Sequence, residues 1–102
     1  MAANVLAITE IVSDPKIRSG RPVIAGTGIM VSDIIGWHLY GDKLSPQRIA
    51  EDFRLSLGQV YAAISYYYLH QPEIDDEMRR NVEEARTLIA ELEKQGKASR
   101  LE

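Results

Sequence analysis

Cysteine is absent from this chain of 102 residues. Its absence excludes disulfides and thiolate metal sites, and nothing in cysteine usage indicates an oxidising compartment. No apolar run approaches the roughly 20 residues that a membrane-spanning helix needs. The opening residues, MAANVLAITEIVSD, hold no basic residue, which is unlike a secretory signal peptide. We expect a cytoplasmic protein with a single modest core.

Positive charge is also scarce. Residues 1–72 hold six Lys/Arg and six Asp/Glu, whereas residues 73–102 hold six Lys/Arg and nine Asp/Glu. The net charge of -3 therefore arises in the last third of the chain. A strongly basic face, the usual footprint of a nucleic-acid-binding protein, is not visible at this level.

The sequence lacks a motif for catalysis or for a cofactor. The glycine-rich segment 20–36 contains Gly26–Gly28, but Val31 stands where a dinucleotide fingerprint needs its third glycine, and no lysine follows as a phosphate loop requires. His38 and His70 each stand alone, without a paired carboxylate to complete a metal site. No Ser–His–Asp arrangement can be argued from spacing. We expect no catalytic residue, no metal, no cofactor and no small-molecule substrate.

Two stretches near the N-terminus predict β structure. The mostly apolar run Leu6–Val12 predicts a short strand. The segment Pro22–Val31 predicts a β-hairpin, because two apolar runs flank Gly26-Thr27, which suits a two-residue type II′ turn. In that register Ile24 lies opposite Ile29.

Helix start signals divide the rest of the chain. Ser32 is predicted to cap a first helix that ends at Gly41. Ser45-Pro46 is predicted to open a second helix, which ends near Phe53. Four helices are thus expected, over 32–41, 45–53, 56–70 and about 73–95.

The third start signal is the strongest, since Ser56 and Gln59 fit a capping box. The helix that they open is expected to stop before Pro72. Apolar residues at spacings of four and three predict its buried face, which comprises Leu57, Tyr61, Ile64 and Tyr68.

The fourth helix begins with four carboxylates within residues 73–77, interpreted as favourable charges at a solvated helix N-terminus rather than as an acid–base pair. Its apolar residues recur at spacings of four and three, and we call them the C-terminal stripe: Met78, Val82, Ala85, Ile89 and Leu92. Such a narrow stripe either packs across its own domain or docks on another chain.

The three helices after residue 32 have the proportions of a helix-turn-helix unit, whose last helix enters the major groove. In that interpretation Ser56, Gln59 and Ala62 face base edges, while Arg48 and Arg54 reach phosphates. However, no Lys or Arg occurs from Leu55 to Met78, and DNA affinity rests heavily on neutralised phosphates. Tri-helical units also serve as protein-interaction modules, and the fold alone does not choose between these functions.

The sequence resembles the domain-of-unknown-function 433 family of bacterial proteins. The matching residues are Asp14-Pro15, Gly20–Ile24, Gly26-Thr27, Ile29, Val31, Leu44–Phe53, Leu55-Ser56 and Val60–Tyr66. The resemblance covers about residues 7–68 and implies a small homeodomain-like helix-turn-helix fold with an N-terminal β segment. It also implies an antitoxin-like protein, encoded beside a toxin resembling a PIN-type nuclease, with a core that binds operator DNA.

The chain departs from that family pattern at two places. The family tends to have Gly-Thr-Arg where this chain has Gly26–Gly28, and Asp-Tyr-Pro where it has Asp52–Arg54. The first change removes an arginine from the hairpin and the second adds one at the helix junction.

We therefore expect a mainly α protein in which residues 1–72 form the β segment and helix-turn-helix core, and residues 73–102 form a helix that binds either a second copy of the chain or another partner. The leading hypothesis is a non-enzymatic, antitoxin-like homodimer that binds a toxin through the C-terminal stripe and whose helix-turn-helix core forms either the dimer or a platform for operator DNA. The competing hypothesis is a protein–protein interaction module that binds no DNA.

Overall fold

The computed structural model describes residues 8–96. Its elements, in chain order, are β1 (Ile11–Val12), β2 (Val23–Ile24), α1 (Val31–Leu39), α2 (Pro46–Phe53), α3 (Leu57–Leu69) and α4 (Gln71–Lys94). The expected fold class, mainly helical with a small antiparallel sheet near the N-terminus, is confirmed. The chain divides into two compact units, one ending at Gln71 and the other beginning at Pro72.

The sheet is shorter than the sequence predicted. Its two antiparallel strands pair Ile11 with Ile24 and Val12 with Val23. The predicted strand Leu6–Val12 was wrong at residues 8–10, of which 9–10 form a turn, and its residues 6–7 lie outside the described residues. The partner strand β2 is itself only two residues long, so it offers no ladder to a longer β1.

Only the first arm of the predicted hairpin is a strand, because residues 28–30 contribute a single bridge, between Met30 and Val23, and Val31 begins α1. The register is as predicted, but the turn differs. The amide of Ile24 donates to the carbonyl of Ile29 at 2.9 Å, so the predicted pairing of these residues is confirmed. The turn is closed by the amide of Thr27 donating to the Ile24 carbonyl at 3.0 Å, which makes Ala25 and Gly26 its central residues. Gly26 has φ +80, the value of the third position of a type II turn. The predicted type II′ turn at Gly26-Thr27 was therefore wrong.

The side chain of Thr27 explains this placement. Its hydroxyl donates to the Ile24 carbonyl at 2.9 Å and accepts from the amide of Ile29 at 3.0 Å. These two bonds hold Thr27 at the last position of the turn. Its neighbours Ala25 and Gly26 therefore occupy the two central positions.

Helix α1 begins two residues earlier than predicted. Its N-cap is Met30, whose amide donates to the carboxylate of Asp33 at 3.0 Å. Ser32, the predicted cap, is instead a buried residue of the first turn. The helix ends at Leu39 rather than at Gly41. The cap was misassigned because the bond at this helix start is made by Asp33, three residues after the cap, whose carboxylate accepts from the amide of Met30. Ser32 is not needed as a cap.

The caps of α2 and α3 are confirmed. The hydroxyl of Ser45 accepts from the amide of Arg48 at 3.1 Å. At the start of α3, the hydroxyl of Ser56 accepts from the amide of Gln59 at 3.0 Å, and the amide oxygen of Gln59 accepts from the backbone of Ser56 at 2.7 Å. Between them, α2 closes at Arg54, a left-handed residue with φ 56. A link of three residues thus separates the two helices.

The predicted buried face of α3 was wrong. The buried residues are Val60, Ala63 and Tyr67, whereas Leu57, Tyr61 and Tyr68 are 40%, 46% and 57% exposed and Ile64 is half-buried. Nearly every side chain from 57 to 69 is apolar or aromatic, so two stripes of the same spacing compete. Periodicity alone does not choose between them.

The core of the first unit is aliphatic and comes from β2, α1, α2 and α3. Its fully buried members are Val23, Ile24, Val31, Ile34, Ile35, Ile49 and Val60. At its edge, the rings of Trp37 and Phe53 stack in parallel with centroids 4.0 Å apart. This stack joins α1 to the last residue of α2 and contributes about 0.5–1.5 kcal/mol beyond burial.

The second unit consists of α4. Within it, Asp76 forms ion pairs with Arg79 and Arg80 on the following turn. Glu77 is buried, so the carboxylates of residues 73–77 are not all solvated as the sequence analysis assumed. Among residues 8–96, no helix is both long and apolar enough to cross a bilayer.

Candidate functional site

Two arginines were predicted to contact phosphates, Arg48 in the first turn of α2 and Arg54 directly after that helix. Arg48 is exposed, but its Nε donates to both carboxylate oxygens of Asp52 at 2.9 and 3.1 Å. An anion must compete with that carboxylate for the guanidinium. Arg54 is exposed and follows α2 directly. Both arginines are therefore exposed, but Arg48 is paired with Asp52 and only Arg54 lies at the junction with α3.

The two polar residues expected to face base edges already have partners within the chain. Ser56 and Gln59 bond each other's backbones in the capping box at the start of α3. Bidentate recognition of adenine uses both the oxygen and the nitrogen of a glutamine amide. Because the side-chain oxygen of Gln59 accepts a hydrogen bond from the Ser56 amide, the capping box determines the orientation of this side chain.

The remaining predicted contact residue, Ala62, is half-buried, and so is Tyr66 one turn later. The ring of Tyr66 stacks on His70 with centroids 4.3 Å apart. These residues and Gln59 share one side of α3, between its buried and its most exposed sides. The structure thus brings the proposed base-contacting residues together, on a side of the helix that is only partly accessible.

The most exposed side of α3 carries no charge. We call it the outer face of α3, and its residues are Leu57, Tyr61, Ser65, Tyr68 and Leu69. Leu69 is 70% exposed, the largest value among the exposed hydrophobic residues. Aromatic side chains with a polar tip are enriched at protein interfaces, whereas phosphate binding requires cations. The chemistry of this face suits protein better than DNA.

The C-terminal stripe lies on α4, and much of it is accessible. Val82 and Ile89 are 51% and 53% exposed, and the adjacent Leu88 is 57% exposed. Ala85 is also exposed, whereas Met78 and Leu92 are half-buried. At 1.5 Å per residue, the stripe from Met78 to Leu92 is about 21 Å long. It forms a continuous apolar strip on a helix that is otherwise strongly charged.

The opposite side of α4 is polar. A shallow groove on this side is lined by Arg80, Glu83, Glu84, Thr87, Leu88 and Glu91, all from the same helix. A groove between ridges of a single helix encloses no ligand, so we assign it no site. Among the described residues, no group of three His, Asp or Glu side chains is placed to hold a metal ion.

The hairpin loop contains a contact that the sequence analysis did not anticipate. The Nε of Arg18 donates to the carbonyl of Gly28 at 2.9 Å. Arg18 has φ 51, one of three consecutive left-handed residues that end at Gly20. The guanidinium of Arg18 therefore lies beside Gly28, the residue at which the family tends to have an arginine. No sequence signal indicates this, since the two residues are ten apart.

A family model described as "Protein of unknown function (DUF433)" matches residues 11–67. The match begins with β1 and ends within α3, so it covers more than half of the chain and leaves α4 outside. No curated protein and no solved structure matches the chain. The matched segment contains the hairpin, the capped α2 and the capping box of α3. On this match, the chain belongs to the DUF433 family.

Proposed function

We propose that this protein is a non-enzymatic, antitoxin-like binding protein that docks on a partner protein through the C-terminal stripe. The observation that carries the proposal is the exposure of about half of Val82 and of Ile89, which lie on one side of α4. Amphipathic helices commonly bind in apolar grooves through side chains at this spacing. The resemblance described above suggests a PIN-type nuclease toxin as the partner.

The energetics of the stripe support a protein partner. Complete burial of a valine, leucine or isoleucine side chain contributes about 1.5–3 kcal/mol, so covering the exposed half of each contributes about 1 kcal/mol. Several such residues in one strip supply the apolar centre of an interface. The acidic excess of residues 73–102 favours a partner whose groove has a positively charged rim.

Charge supports protein rather than DNA as the target of the core as well. Helix α3 has no Lys or Arg, and Arg48 in α2 is paired with Asp52. Each phosphate contact normally requires a donor, commonly Lys or Arg, and counterion release provides much of the affinity. We therefore propose that the three-helical core binds no operator DNA by itself.

Two substitutions at the stripe test the proposal. We expect Ile89→Asp with Leu92→Asp to abolish co-purification with the protein encoded by the neighbouring gene, because two buried carboxylates would lack partners. The matched control is Thr87→Asp, which adds a charge to the same helix about 200° around from Ile89. Co-expression, pull-down and a growth assay for toxicity measure the effect. Partner capture by the double variant at the level of the control would refute the stripe as the docking site.

A gel shift with the DNA upstream of the coding region tests the second proposal. We expect no shifted band at low salt for the protein alone, since α3 offers no cation to the phosphates. A shift that weakens steeply as salt rises, and that is lost in Arg54→Ala, would contradict this expectation and restore the DNA-binding hypothesis.

A further inference from the structure

A small cleft on the three-helical core lies where α1 ends and the loop to α2 begins. It has a volume of about 280 Å³ and is lined by Gly36, Trp37, Tyr40, Gly41, Asp42 and Leu44. All six residues belong to the first compact unit, so the cleft is built without α4. We propose that this cleft binds the guanidinium group of an arginine side chain that a protein partner presents.

Hydrogen bonds hold the walls of the cleft in place. The amide of Leu44 donates to the carbonyl of Trp37 at 2.8 Å. The amide of Lys43 donates to the carbonyl of Tyr40 at 3.0 Å, and Nδ1 of His38 donates to the carbonyl of Leu44 at 2.9 Å. These bonds tie the loop to the last turn of α1. The cleft is therefore formed before a ligand binds, and little ordering opposes binding.

Aromatic rings supply a surface on which a planar cation can stack. Phe53 covers one face of the Trp37 ring, in a parallel stack with centroids 4.0 Å apart. Trp37 is nevertheless only half-buried, and Phe53 does not line the cleft, so Trp37 lines it on a side away from Phe53. Tyr40, three residues later on the same side of α1, is 54% exposed. Cations are attracted to the faces of tryptophan and tyrosine rings.

A carboxylate supplies the complementary charge. Asp42 is exposed, and within residues 8–96 its carboxylate forms no hydrogen bond and no ion pair. Lys43 follows it in the chain but does not line the cleft. A guanidinium can donate two parallel hydrogen bonds to one carboxylate while its flat face lies against a ring, which a lysine ammonium cannot do. An arginine side chain therefore suits the rings and the carboxylate together.

The size of the cleft indicates a side chain rather than a free small molecule. Sites that enclose drug-sized ligands have volumes of roughly 300–1,000 Å³ and bury most of the ligand. This cleft is smaller, and all of its walls come from residues 36–44, so it covers a ligand from one side only. A protein that presents an arginine covers the remaining side with its own surface.

Gly36 gives an independent indication of a ligand. It lies inside α1, where glycine destabilises a helix relative to alanine. A Cβ at this position would meet no heavy atom within 4 Å, so packing does not require glycine. Gly36 does line the cleft, and a methyl group there would occupy space inside it. The glycine thus keeps the cleft open although alanine would suit the helix better, as is common for residues that serve function.

Tryptophan fluorescence tests the site directly, because Trp37 is the only tryptophan of the chain. Titration of the full chain with N-acetyl-L-arginine amide should give a saturable change with a Kd on the order of millimolar. We expect Asp42→Asn to weaken binding about tenfold, since it removes the carboxylate. The matched control is Glu51→Gln, which alters an exposed carboxylate of α2 outside the cleft and should leave binding unchanged. A fluorescence change that does not saturate, or that is the same in Asp42→Asn, overturns the proposal.

Gly36→Ala separates ligand binding from folding. We expect this variant to resist urea better than the wild type and yet to bind the arginine compound about fivefold more weakly, because its methyl group fills part of the cleft. The matched control is Gly58→Ala, which adds a methyl group to α3 outside the cleft and should bind as the wild type does. Undiminished binding by Gly36→Ala would show that the cleft is not the site.

Related compounds identify the class of ligand. N-acetyl-L-lysine amide should bind about fivefold more weakly than the arginine compound, because an ammonium group has no flat face to stack. Free L-arginine should bind no more tightly than the blocked compound. Equal binding of the lysine compound overturns the guanidinium as the ligand, and tighter binding of free arginine overturns a protein side chain as its source.

The double variant Ile89→Asp with Leu92→Asp keeps the cleft and the C-terminal stripe distinguishable. It should bind the arginine compound as the wild type does, whether or not it still captures the partner protein. Failure of the stripe as a docking site therefore leaves the cleft untouched. Loss of arginine binding in this variant would contradict a site confined to residues 36–44.

Discussion

Two glycines, Gly26 in the turn and Gly36 in α1, differ in whether the structure requires a glycine. Gly26 and Gly36 both have open space where a Cβ would lie, with no heavy atom within 4 Å. They differ in backbone, because Gly26 has φ +80 whereas Gly36 lies inside α1. For Gly26 the requirement is conformational, and for Gly36 neither the backbone nor a close contact requires glycine.

Alanine at these two positions should have opposite effects on stability. We expect Gly26→Ala to lower the free energy of unfolding by about 1–2 kcal/mol, because a left-handed backbone is costly for an L-residue. Gly36→Ala should raise it by about 0.5–1 kcal/mol, since alanine favours the helix interior. Urea denaturation measures both. A loss of the same size at both positions would show that the turn is not the reason for Gly26.

At the scale of secondary structure elements, the caps of α2 and α3 were predicted correctly from sequence, whereas the cap of α1 and the buried face of α3 were not. Ser45 and the pair Ser56 and Gln59 lie within a few residues of the amides that they bond, so local sequence contains the information. The face of α3 depends on which side the rest of the core covers. With apolar residues on both sides of α3, that choice is made by tertiary packing alone.

The candidate site shows the same division between local and tertiary information. The spacing of apolar residues in the sequence predicted the C-terminal stripe, but it did not indicate how exposed those side chains are. The pairing of Arg48 with Asp52 spans four residues and was foreseeable as a helix pair. The contact of Arg18 with Gly28 depends on three consecutive left-handed residues, which the presence of Arg18 and Ser19 in the sequence does not predict.

Adjacent tyrosines in α3 test the observed burial. Tyr67 is 2% exposed and Tyr68 57%. We expect Tyr67→Ala to lower the free energy of unfolding by about 3–5 kcal/mol, as for other buried aromatic residues. Tyr68→Ala should change it by no more than about 0.5 kcal/mol at low protein concentration. Thermal and chemical denaturation of the pair make the comparison, and a larger loss from Tyr68→Ala would mean that α3 is rotated.

At the scale of the whole molecule, charge and apolar surface are distributed unequally. The first 72 residues are electrically balanced and end in an uncharged helix, whereas the acidic excess and the C-terminal stripe share the last third. Neither region presents the basic surface of a typical DNA-binding protein. The family match stops within α3, so the stripe lies in the part of the chain outside the matched residues.

The most direct test of the C-terminal stripe is a calorimetric titration of the purified chain into the protein encoded by the neighbouring gene. We expect binding with a negative heat-capacity change, because apolar surface is buried. Ile89→Asp should weaken binding at least a hundredfold, about 2.7 kcal/mol, while Thr87→Asp binds as the wild type does. Equal affinities for the two variants, or no binding by the wild type, would contradict a partner-binding stripe on α4.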